Sequence, residues 1–74
     1  MREQDTISIE AKIDPREIAF LNSIASSYEG LMVLRTIDAK RGLVEFWVSP
    51  DFEREVRDIL KDLADRIGLV ILQG

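Results

Sequence analysis

Arg35 and Glu45 are the two side chains in this sequence best suited to chemistry. A guanidinium can hold an anion, and a carboxylate beside it can act as a base. They stand in two apolar runs, "LMVLRTI" and "LVEFWV", joined by the polar stretch Asp38-Ala39-Lys40-Arg41-Gly42. The structural alternative is a cross-strand ion pair that fixes the register of a hairpin, and it is the preferred one. Lys40 and Arg41 could grip a phosphate, although charged loop tips are usually just solvated. Asp14, Arg16 and Glu17 flank Pro15 and could form a ligand turn; Asp14 also reads as a helix cap. Tyr28 could donate a proton, but its place at a helix end suits packing. The carboxylates after Pro50 could suggest a metal. They alternate with Arg and Lys, which marks a charge-paired, solvated face.

Other chemistry is excluded by what is missing. The 74 residues include no histidine and no cysteine. That removes the commonest general base, the commonest metal ligands and any disulfide. The sequence has no glycine-rich phosphate loop, no Walker pattern and no G-x-S-x-G. A non-enzymatic protein is expected, with no catalytic residue, no metal and no cofactor. The formal net charge is −4, and Lys40-Arg41 is the only adjacent basic pair, so nucleic acid is not expected as a partner. An RNA-binding sheet would also need stacking aromatics on its open face. Only Trp47 is expected there, and the first strand offers Ser8 and Glu10 instead. No apolar run approaches the roughly 18 residues of a membrane span, and "MREQDTISIE" lacks the apolar core of a signal. A cytoplasmic protein is expected.

The elements that must position these groups are legible. "TISIEAKI" alternates, with Ile7, Ile9, Ala11 and Ile13 on one side and Thr6, Ser8, Glu10 and Lys12 on the other. This is the period of a half-buried strand. Asp14 and Glu17 have the spacing of a capping box around Pro15. Ile18, Leu21, Ile24, Ala25 and Tyr28 follow at helical spacing, and Gly30 is placed to end that helix. The hairpin comes next. Ser49 and Pro50 then start a second helix with a stripe of Phe52, Val56, Ile59, Leu60, Leu63 and Ile67. Glu53/Arg57, Lys61/Asp65 and Asp62/Arg66 are spaced for i,i+4 pairing. Gly68 ends this helix, and "LVIL" is the last strand. Each half runs from a capping residue and proline through a helix to Gly-Leu and a strand.

Two such units make one domain, residues 1–74, of the α+β class. The predicted fold is a ferredoxin-like βαββαβ sandwich, with strand order 4-1-3-2 and both helices on one face. Within the hairpin, Ile37 is expected opposite Leu43, Arg35 opposite Glu45, Leu34 opposite Phe46 and Val33 opposite Trp47. Met32, Leu34, Thr36, Val44, Phe46 and Val48 then face the helices. Leu31, Val33, Arg35, Ile37, Leu43, Glu45 and Trp47 lie on the helix-free face. A slip by one residue would bring a charge into the core.

The stretch "YEGLMVLRTIDAKRGLVEFWVSPDFEREV" resembles the central pattern of a family of short stand-alone bacterial proteins known as a domain of unknown function. That resemblance covers nearly the whole chain and implies no catalytic residues. "KIDPREIAFLNSIASSYEGL" is similar to the first strand, turn and helix of small regulatory domains of the ACT type. In those domains a glycine in the turn lets the backbone approach an amino-acid ligand. Here Arg16 and Glu17 follow Pro15 and no glycine comes before Gly30, so the resemblance implies the fold more firmly than the ligand.

A chain of this size buries only about 60% of the surface its unfolded form exposes, and oligomerisation often helps such domains. A regulatory or interaction module is expected, forming a homodimer through Leu31, Val33, Ile37, Leu43, Glu45 and Trp47. The alternatives are a small-molecule sensor using Asp14, Arg16, Glu17 and Arg35, and an enzyme using Arg35 and Glu45. Edge-strand pairing along Leu31–Ile37 is the other route to a dimer.

Overall fold

The computed structural model describes residues 6–28 and 30–73. The elements follow the expected order: β1 (Ile7–Lys12), α1 (Ile18–Ser26), β2 (Met32–Asp38), β3 (Leu43–Val48), α2 (Glu53–Ile67) and β4 (Val70–Gln73). The four strands form one sheet in the order β2-β3-β1-β4 with every neighbouring pair antiparallel. This is the predicted order read from the other edge.

Alternation in the strands decides the layers. Ile9 and Ala11 of β1 and Val44, Phe46 and Val48 of β3 have no exposed surface. They form a single cluster with Leu21 of α1 and with Val56, Leu60 and Leu63 of α2. Both helices therefore cover the same face of the sheet. No polar or charged side chain is buried among the described residues. The side chains of the core therefore stabilise it through apolar burial, at roughly 25 cal/mol per Å² of apolar surface removed from water.

The helix ends combine expected and unexpected chemistry. Asp14 caps as predicted, but its carboxylate accepts the backbone N–H of Arg16 and not that of Glu17. A single 3-10 turn, Pro15–Glu17, precedes α1. Ser49 occupies the corresponding place before α2 but makes no side-chain capping bond; its carbonyl accepts the N–H of Phe52 at 2.9 Å. The proline after each of these residues sets the entry geometry, which a hydroxyl cap is not needed to hold. Gly68 ends α2 at φ 75°, with its N–H bonded to the carbonyl of Ala64. Helix α1 stops at Ser26, before Gly30 is reached. The carbonyl of Tyr28 then accepts the amides of Leu31 and Met32 as the chain turns into β2.

The hairpin register is as predicted over most of its length. Val33 pairs with Trp47, Leu34 with Phe46 and Arg35 with Glu45. The end nearest the loop differs. A bulge falls between Thr36 and Asp38, so Asp38 and not Ile37 lies opposite Leu43. The cause is local: the Asp38 carboxylate accepts the amides of Lys40 and Arg41, closing a turn that makes Asp38 the last paired residue. Thr36 has the inward register but is exposed, because β2 is an edge strand and the core stops short of its end.

Candidate functional site

The helix-free face of the sheet can be read as three rows across the strands. The first row is Val33, Trp47 and Ser8; the second is Arg35, Glu45 and Glu10; the third is Leu43, Lys12 and Val70, with the bulged Ile37 beside it. Val33 is 57% exposed, Ile37 51% and Trp47 40%. Leu43 is half-buried. Leu31 precedes β2 and packs against the core, so the apolar patch does not extend to it.

Arg35 and Glu45 are neighbours in register, but no ion pair joins them among the described residues. The Arg35 guanidinium lies over the Trp47 ring, 5.4 Å from its centroid. The ring face attracts the cation held over it. Glu45 accepts the hydroxyl hydrogen of Ser8 from the strand on its other side. Each member of the expected pair thus has a different partner, taken from the same face of the sheet.

The second set of predicted residues lies elsewhere. Arg16 folds back on Asp14, with its guanidinium 2.9 Å from the carboxylate. The side-chain bond from Arg16, joined by its backbone N–H, holds Asp14 below the usual carboxylate range; the same carboxylate raises Arg16. Glu17 is half-buried in the 3-10 turn. Arg35 is not among the residues that line this region, so the structure brings Asp14 and Arg16 together but does not add Arg35 to them.

Beside Asp14 and Pro15 lies an open cleft of about 710 Å³, also lined by Lys12, Lys40, Arg41, Gly68 and Val70. It exists because the hairpin loop is pinned to the end of β1. The amide of Ile13 donates to the carbonyl of Gly42 at 2.8 Å. Gly42 is itself buried, at φ 71°, where a side chain would meet the carbonyl of Ile13. Lys12 and Val70 were not singled out by sequence, nor was Ser8. Strand alternation put Lys12 on the open face, and the pairing of β1 with β3, which sets Lys12 opposite Leu43, continues through the contact between Gly42 and Ile13 and brings Lys40 and Arg41 towards it. No local pattern encodes that contact.

Among the described residues, no group of three or more acidic residues could hold a metal ion. Two of the three expected pairs on α2 form, Glu53–Arg57 and Asp62–Arg66. Tyr28 packs against the core at the end of α1. No helix among the described residues is long and apolar enough to cross a membrane.

An antiparallel sheet ordered β2-β3-β1-β4, with two helices on one face and an exposed opposite face, defines a ferredoxin-like α+β sandwich. The fold hosts many unrelated functions, so it assigns none by itself. Residues 11–67 match the family described as "Domain of unknown function (DUF4911)", and the chain belongs to that family. No curated protein and no solved structure matches it.

Proposed function

We propose that the chain is a non-catalytic interaction module that pairs with a second copy of itself through the open face of its sheet. The observation that carries this reading is the Arg35–Trp47 contact beside exposed Val33 and Ile37. Tryptophan and arginine are the residues most enriched at interface hot spots. In that contact, the ring face is occupied while the guanidinium keeps hydrogen-bonding capacity for a carboxylate outside its own chain.

The face is self-complementary. A two-fold axis parallel to the strands, midway between β2 and β3, sets β2 of one copy over β3 of the other. Val33 then meets the partner's Trp47, and Arg35 meets the partner's Glu45. Sheets packed face to face cross at about 30°, which keeps this central row closest. Edge pairing along β2 is less favoured, since the bulge before Asp38 interrupts its ladder. In this reading Arg35 and Glu45 have no catalytic part and the protein works in the cytoplasm.

The interface is small. In this arrangement only β2 and β3 of each copy overlap, and two strands at about 4.8 Å spacing and about six residues in length give a footprint on the order of 200 Å². A standard stable interface takes about 800 Å² from each partner. The dimer should therefore depend on concentration in the micromolar range or above. Sedimentation across a concentration series, for the native chain and for Trp47→Glu, tests it. Native dimer with monomeric, folded Trp47→Glu is the expected result. A folded Trp47→Glu that still dimerises removes the face-packed arrangement, and a native monomer at millimolar concentration removes self-association altogether.

A small-ligand sensor is the second reading, and the cleft beside Asp14 and Pro15 is where a ligand would sit. Thermal shifts against an amino-acid panel separate the two, because a specific ligand stabilises by mass action.

A further inference from the structure

The cleft at the end of the sheet concentrates positive charge on an acidic protein. The chain carries a formal net charge of −4. Yet Lys12, Lys40 and Arg41 line one cleft, and among the described residues the only carboxylate lining it is that of Asp14. Asp14 is already held by the backbone and guanidinium of Arg16. Its charge is therefore matched by a cation from outside the lining. Arg41 approaches Asp38 only loosely, at 3.8 Å, and the Asp38 carboxylate is turned onto the amides of its own loop. Lys12 and Lys40 form no ion pair among the described residues. Like charges gathered this way repel one another unless an anion comes between them.

The support beneath the cleft is rigid where it matters. The bond from the Ile13 amide to the Gly42 carbonyl fixes the loop bearing Lys40 and Arg41 against the strand bearing Lys12. The carboxylate of Asp38 fixes the turn from within. Val70 and Pro15 supply apolar wall next to the cations. An amino-acid zwitterion would need a free carboxylate for its ammonium group, and Asp14 is occupied. An anion needs no such partner.

We infer that this cleft binds the phosphate group of a small molecule through Lys12, Lys40 and Arg41. Ammonium groups serve phosphate well as point charges, and the arginine adds directional donors. The site shares Lys12 and Val70 with the end of the open sheet face but uses none of Val33, Arg35, Glu45 or Trp47, so it does not depend on dimer formation through β2 and β3.

The test is a titration of the native chain with pyrophosphate at fixed ionic strength, followed by amide NMR shifts. The expected result is a saturable change confined to residues 12–15, 40–42 and 68–70. Lys40→Ala/Arg41→Ala, in an exposed loop, should keep the native amide spectrum elsewhere and weaken binding tenfold or more. Lys61→Ala, on α2 outside the cleft, should bind as the native chain does. Shifts that stay linear to about 10 mM, a concentration beyond even weak specific binding, would overturn the site. Shifts spread equally over Arg54 and Lys61, or undiminished binding by the double variant, would do the same. Citrate binding as tightly as pyrophosphate would overturn the assignment to phosphate.

Discussion

Gly42 is the residue on which the most structure turns. Its φ of 71° is a left-handed conformation, and a Cβ there would stand 1.7 Å from the carbonyl oxygen of Ile13. Gly68 has nearly the same φ, yet open space surrounds the place of its Cβ. Gly68→Ala should therefore cost only the left-handed penalty, about 1–2 kcal/mol. Gly42→Ala adds a backbone collision and should cost about 3 kcal/mol or more. Urea unfolding of both variants checks this; equal losses would mean that the loop swings freely away from Ile13. Sequence showed Gly42 only as a turn residue, since the collision depends on a strand far away in the chain. Asp14 gives a second expectation. Its carboxyl is held below the ordinary 3.8 by Arg16, so folding favours the ionised form. That contribution is complete above the unfolded pKa and is lost as pH falls through the lower folded value. Asp14→Ala should be less stable than native near neutral pH, with the gap closing under acid conditions below about 3.8. A gap unchanged down to strong acid would assign the role of Asp14 to the backbone turn alone.

At the scale of elements, periodicity carried most of the fold. The period of two buries Ile9 and Ala11 of β1 and Val44, Phe46 and Val48 of β3, and the helical stripe buries Val56, Leu60 and Leu63 with Ile59 and Ile67 packed beside them; Phe52, at the start of the stripe, stays exposed. Helix α2 shows how strongly this holds. Val56, Leu60 and Leu63 are buried on one side of fifteen residues whose remainder is mostly charged. Leu60→Ala should cost about 2–5 kcal/mol, the range for emptying a buried leucine site. A loss below 1 kcal/mol in thermal or urea unfolding would show that α2 is not seated on the core. The less legible elements are those set by a partner outside their own run. Ile37 follows the alternation of β2, but the turn closed by Asp38 takes it out of register. Leu31 carries the right type for the open face, but it belongs to the turn before β2 and packs inward. Strand β4 read simply as an apolar run. At the sheet edge its Val70, Ile71 and Leu72 remain exposed, since β1 pairs with only one side of it.

For the whole molecule, the decisive question is whether Arg35 and Glu45 act within one chain or between two. Sequence placed them opposite each other, and the register agrees. It could not show that Arg35 would choose the Trp47 ring, or that Glu45 would take the Ser8 hydroxyl, because both choices involve side chains on neighbouring positions of the same face. If the proposed two-fold arrangement holds, each copy places Arg35 against the partner's Glu45, and the contact occurs twice. Arg35→Glu then sets like charges together at two places and should weaken dimerisation at least tenfold. Glu45→Arg should do likewise. The double variant Arg35→Glu/Glu45→Arg restores opposite charges across the axis and should recover much of the loss, while giving up the contact with Trp47. Sedimentation equilibrium on the four proteins measures this as a double-mutant cycle. The same cycle on monomer stability should show a coupling of less than about 1 kcal/mol, because an exposed cross-strand pair contributes little. Coupling that appears in unfolding but not in dimerisation would place the pair's role inside the single chain and remove the face-to-face assembly.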